Sequence, residues 1–172
     1  VFDVGVDQGT PLIYNTYPNA KFVLIDPVAE SEQRVEGWKD RINYAFHCCA
    51  LGANRGEVEI NIPSTTTKKR ISRASAFEFE PGNAAQFASF EKRTVPMTTL
   101  DSLSWRETGP FGVKIDTEGY ELEVIKGAKK TLANAEFVIA EVSVKRRFQG
   151  SYRFSELIGA LGKQGFEPLD FL

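Results

Sequence analysis

The sequence predicts an α/β domain, a mostly parallel sheet with helices on both faces. Three observations predict it. Short apolar runs without period-two alternation recur along the chain, as in strands buried on both faces. Stretches with apolar residues at helical spacing lie between them. The length, 172 residues, suits one domain with a sizeable core.

The elements follow in order. Phe2 to Val4 reads as a buried strand, and Thr10-Pro11 offers an N-cap followed by proline at the first helical position. Tyr17-Pro18-Asn19 ends that helix. Lys21 to Asp26 is a second strand, closed by Pro27, and a polar helix from Ala29 to Arg41 carries Val35 and Trp38 on one face. Ile42 to Leu51 reads as a third strand, with a turn at residues 52–56. Val58, Ile60 and Ile62 alternate with polar residues, as in a half-exposed strand. Residues 63–95 form a basic, partly irregular insertion, an inserted hairpin or loop region that could act as a lid. Val113 to Asp116 is a short strand, and Leu122, Ile125, Ala128 and Leu132 follow at helical spacing. Phe137 to Val142 is a further buried strand, and Phe154 to Lys163 a helix stopped by Gly165. Residues 1–172 thus read as a single domain. The chain starts directly at its first strand, so elements before Val1 are expected to be missing.

Composition removes several classes of function. The net charge of −2 gives no pull toward nucleic acid or an anionic membrane. No apolar run approaches the roughly 20 residues that span a bilayer. Cys48 and Cys49 are adjacent, so on a strand they point to opposite faces and do not pair. They read as two buried free thiols in a reducing, cytoplasmic compartment. Two cysteines and one histidine, His47, exclude a structural zinc site.

Acidic residues close the predicted parallel strands: Asp7, Asp26, Asp116 with Glu118, and Glu141. Ligands in such sheets sit at the carboxyl ends of the strands. The first strand turns through Gly5-Val6-Asp7-Gln8-Gly9. A dinucleotide fingerprint begun at Gly5 would need glycine at Asp7 and at Thr10. An aspartate at the second position adds bulk and negative charge beside a pyrophosphate, which argues against NAD or FAD. No phosphate-binding GxxxxGK[ST] occurs either. S-adenosyl-L-methionine fits better, since it carries an ammonium, a sulfonium and a ribose but no phosphate. Asp26, at the end of the next strand, lies where an acid accepts hydrogen bonds from ribose hydroxyls.

The blocks FDVGVDQG, LIDP, ALGANRG, TLDSL, VKIDTEGYELEVIKGA and AEV, in this order, resemble the FkbM-type methyltransferases. The resemblance runs from Val1 to Phe166, and KIDTEGYELEVIKGA is its most specific block. It implies a Rossmann-like class I fold and transfer of a methyl group from S-adenosyl-L-methionine; many members O-methylate sugars or other hydroxyl-bearing metabolites. Carried over by position, Asp3, Gly5, Asp7 and Gly9 belong to the cofactor turn. Asp26 and Pro27 belong to the ribose, and Cys49, Ala50 and Leu51 to the adenine wall. Asp116 and Glu118 fall near the transferable methyl. The family often has asparagine in place of Asp7 and glutamate in place of Asp26.

The expected activity is therefore O-methylation of a small-molecule or sugar hydroxyl. Asp116 is the first candidate base, supported by Glu118. These carboxylates with Glu141 could hold a divalent cation such as Mg²⁺. Their alternative role is to cap the helix beginning near Gly119. Lys68, Lys69, Arg70 and Arg73 form a cationic run that would favour an acidic acceptor. A nucleotide-dependent oxidoreductase, disfavoured by Asp7, and a non-catalytic binding domain are the alternatives.

Overall fold

A computed structural model describes residues 1–64, 74–103 and 109–170. The cationic run at Lys68, Lys69, Arg70 and Arg73 lies outside the described residues. The strands are β1 (Phe2–Val4), β2 (Lys21–Asp26), β3 (Asn43–Cys48), β4 (Ala50–Leu51), β5 (Gly56–Ser64), β6 (Ser89–Thr98), β7 (Gly112–Ile115) and β8 (Phe137–Ala140). The helices are α1 (Pro11–Thr16), α2 (Glu30–Val35), α3 (Pro81–Ala84), α4 (Glu121–Lys126), α5 (Lys129–Leu132) and α6 (Phe154–Gly162).

Five strands form one sheet in the order β3-β2-β1-β7-β8, with every pairing parallel. Successive side chains point to opposite faces, so each strand feeds two cores. Phe2, Val4 and Ile25 pack with Val124, Ile125 and Leu157 on one face. Phe22 and Leu24 pack with Ile13, Tyr14 and Val35 on the other. This is the predicted architecture, helices covering both faces of a parallel sheet.

Several boundaries differ from the expectation. The run Ile42 to Leu51 is two strands. Cys49 donates its N–H to the His47 carbonyl (3.1 Å), and beyond that bend β4 leaves the main sheet to pair with β6. Residues 89–98 are regular: β6 pairs antiparallel with β5 along its length. Lys92, Arg93 and Pro96 hide this strand from a hydropathy reading. The helix expected over Ala29 to Arg41 ends at Val35 and continues as a 3-10 turn through Trp38. The helix expected through Leu132 breaks at Gly127, where a Cβ would lie 2.0 Å from the Gly52 carbonyl oxygen. Cys48 is exposed rather than buried, because β3 is an edge strand. The other edge strand, β8, is half-buried throughout. Among the described residues no helix is long and apolar enough to cross a membrane.

Candidate active site

The strand order places the site. From central β1 the chain lays β2 and β3 on one side, then returns to lay β7 and β8 on the other. The order reverses between β1 and β7, and open parallel sheets bind ligands beyond the strand ends at such a point. A cavity of about 360 Å³ lies there. Gly5 to Leu12, Ile25 to Val28, Arg34, Cys49 to Leu51 and Asp116 to Glu118 line it, under a roof that includes Ile60, Ile62, Ala74 and Ala76. Gly5, Asp7, Gly9, Asp26, Pro27, Cys49, Ala50, Leu51, Asp116 and Glu118 therefore meet in one cavity.

The glycine turn is fixed by geometry that other residues adopt poorly. Gly5 has φ +77°, and a Cβ there would lie 1.6 Å from the Asp116 carbonyl oxygen. Gly9, at φ +96°, is packed so that a Cβ would lie 2.8 Å from both Trp38 and Tyr14. Asp7 also sits in the left-handed region, at φ 44°. Its amide donates to Asp26 Oδ2 (2.9 Å), and the Val28 amide donates to Asp26 Oδ1 (2.8 Å). Each Asp26 oxygen keeps further lone-pair capacity for a ligand hydroxyl. Burial raises the Asp26 pKa, against the two amide hydrogen bonds. The Asp7 carboxylate does not stand free in the cavity, because Arg34 Nη1 pairs with it.

Asp3 lies beneath the turn, fully buried and outside the cavity lining. Its register partner on β7 is Lys114, so the two side chains share a face. Tyr14 Oη donates to Asp3 Oδ2 (2.7 Å), and Lys114 Nζ lies 3.1 Å from Oδ1. Lys114 also donates to the Gly5 carbonyl (2.7 Å) and approaches Asp116 Oδ2 (3.4 Å). Burial works against the Lys114 charge, but Asp3 and Asp116 outweigh it and its pKa is raised. Asp3 thus supports the turn from below, through a buried ion pair.

The acidic end is a network. Burial pushes the Asp116 carboxyl up to about 7, and a hydrogen bond with Glu141 adds to this while Lys114 opposes it. Arg147 Nη2 donates to Glu141 Oε1 (3.0 Å) and lies 3.4 Å from Glu118 Oε2. Glu121 is 1% exposed and accepts the Thr117 and Gly119 amides and the Tyr152 hydroxyl (2.7–3.1 Å). That grip holds Glu118 and Gly119 left-handed, at φ 50° and 96°. α4 begins only at Glu121, and Glu121, rather than Asp116 or Glu118, satisfies the amides before it.

Asp116, Glu121 and Glu141 offer oxygens within 4.8 Å of one another. The donor set nonetheless does not fit a divalent cation. Glu121 is committed to amides and a phenol, Glu141 to Arg147, and Asp116 to the Lys114 ammonium. Removing Glu121 should show how much it holds. Glu121→Ala orphans two amides and one hydroxyl, at about 1–3 kcal/mol each, so a loss of about 3 kcal/mol or more is expected in denaturant unfolding. A loss below about 1 kcal/mol would contradict the assignment.

Lys114, Arg34, Glu121 and Arg147 escaped the sequence reading. Lys114 had a signal, a cation inside a buried strand that demands a partner, with Asp3 in a neighbouring buried strand. His47 is exposed on β3 and does not line the cavity.

Together, the parallel sheet, the reversal at β1 and β7, and the glycine turn facing strand-end carboxylates define a Rossmann-like α/β protein of the class I methyltransferase type. Comparison with known families matches residues 3–168 to the methyltransferase FkbM domain. The chain belongs to the FkbM methyltransferase family. No curated protein and no solved structure matches it significantly.

Proposed function

We propose that the chain transfers the methyl group of S-adenosyl-L-methionine to a hydroxyl of a small molecule or sugar. The carrying observation is the charge of the cavity. Its lining brings four carboxylates, Asp7, Asp26, Asp116 and Glu118, against two cations, Arg34 and Lys114. Both cations are already paired, Arg34 with Asp7 and Lys114 with Asp3 and Asp116. Such a lining suits a ligand bearing a sulfonium and an ammonium and opposes a pyrophosphate. The free thiols Cys48 and Cys49 support a reducing, cytoplasmic setting.

The residues divide the work. The Gly5–Gly9 turn admits the ligand closely, and Asp26 accepts from the ribose hydroxyls. Cys49, Ala50 and Leu51 offer an apolar wall for the adenine. When bound, the cofactor supplies an electrophilic methyl. Asp116 accepts the proton of the acceptor hydroxyl, and Glu118 and Glu141, held by Arg147, keep the surrounding field negative.

Asp26→Ala should weaken S-adenosylmethionine by about 1–3 kcal/mol, the usual cost of orphaning polar partners. Calorimetry on the folded variant checks this, and unchanged affinity would remove Asp26 from the site.

A further inference from the structure

We propose that Arg34 is a positioning residue of the cofactor site, acting through Asp7 on Asp26. The proposal rests on reading the cavity as the S-adenosylmethionine site. Asp7 and Asp26 are two carboxylates in one turn, joined by the Asp7 amide at 2.9 Å. Asp26 is 6% exposed, so a second negative charge beside it is poorly screened. Arg34 removes that conflict by pairing with Asp7.

The contacts form a closed ring. Asp26 binds the Asp7 amide, and the Asp7 carboxylate binds Arg34. Arg34 belongs to α2, whose approach begins at Val28, and the Val28 amide returns to Asp26 Oδ1 at 2.8 Å. Trp38, one helical turn beyond Arg34, adds a second tie: its Nε1 donates to the Gln8 carbonyl at 3.2 Å. The segment after β2 therefore holds the β1 turn in the shape that presents Asp26. This explains how a non-glycine residue stays left-handed at position 7. It also explains why an aspartate is tolerated there beside another acid. A lysine could restore the charge but not the planar fork.

The test is calorimetry with S-adenosylhomocysteine, which needs no acceptor. Arg34→Met should bind about 10-fold more weakly or worse, with its melting temperature shifted by only a few degrees, since a single ion pair whose side chains keep 29% and 25% of their surface in solvent contributes modestly to folding. Arg34→Lys should recover part of the loss. The double variant Arg34→Met with Asp7→Ala should bind no more weakly than Arg34→Met alone, because the orphaned charge is gone. Parent affinity in Arg34→Met overturns the proposal, as do additive losses in the double variant, which would mean that Arg34 touches the ligand directly. Should Arg34→Met fail to fold, Arg34→Gln is read in its place, and parent affinity there overturns the proposal equally. A parent protein that does not bind S-adenosylhomocysteine overturns the cofactor reading itself, a different and separable result.

Discussion

Gly5→Val is expected to abolish S-adenosylmethionine binding. The residue has φ +77°, a region closed to a β-branched side chain. The contact is worse than the torsion. A Cβ would lie 1.6 Å from the Asp116 carbonyl oxygen, where the ends of β1 and β7 nearly touch. Backbone cannot swing aside as a side chain can, so the two strand ends must separate. That separation moves the turn, the Lys114 ammonium bound to the Gly5 carbonyl, and Asp116 together. Stability should fall by about 4 kcal/mol or more, in the tail of mutational effects. Thermal melting and calorimetry with S-adenosylhomocysteine report the two losses. A Gly5→Val variant that folds and binds as the parent does would remove the turn from the site.

Asp116→Asn should leave cofactor binding near normal and lower the methyl-transfer rate roughly 10²-fold or more, the scale for a general base. Asparagine keeps the size and one acceptor but cannot take a proton. The parent should show a rate that rises with pH through about 7, because the base form is the ionised carboxylate and burial with Glu141 holds the carboxyl there. The same shift has a stability consequence of opposite sign. A carboxyl raised in the folded state is protonated there while the unfolded chain has already released its proton. Its contribution therefore declines as pH rises from about 4 toward about 7. Turnover at the parent rate in Asp116→Asn would show that Asp116 is not the base. A chelator should leave the parent rate unchanged, since the neighbouring carboxylates are held by protein donors.

The fold was legible because parallel strands leave plain marks. Phe22 to Ile25 is an unbroken apolar run that needs helices on both faces, and Val113 and Ile115 are fully buried on one face of β7. Their shared direction follows, and with it the gathering of Asp7, Asp26 and Asp116 at one edge. The partners of those carboxylates were not legible. Arg34, Glu121 and Arg147 look like ordinary charges on polar segments, and only register and helix placement bring them to the site. β6 was hidden for a different reason. Its charged residues pair across the hairpin and to α2, as Lys92 with Glu59 and Arg93 with Glu30, so burial does not write an apolar pattern there. The break at Gly127 depends on the distant Gly52 backbone, a contact no local pattern encodes.

The most direct measurement is a calorimetric titration of the parent protein with S-adenosylmethionine and, separately, with NADH. The acidic cavity, with both of its cations already paired, predicts one-to-one binding of S-adenosylmethionine and no heat from NADH. Binding of NADH with no response to S-adenosylmethionine would contradict the account.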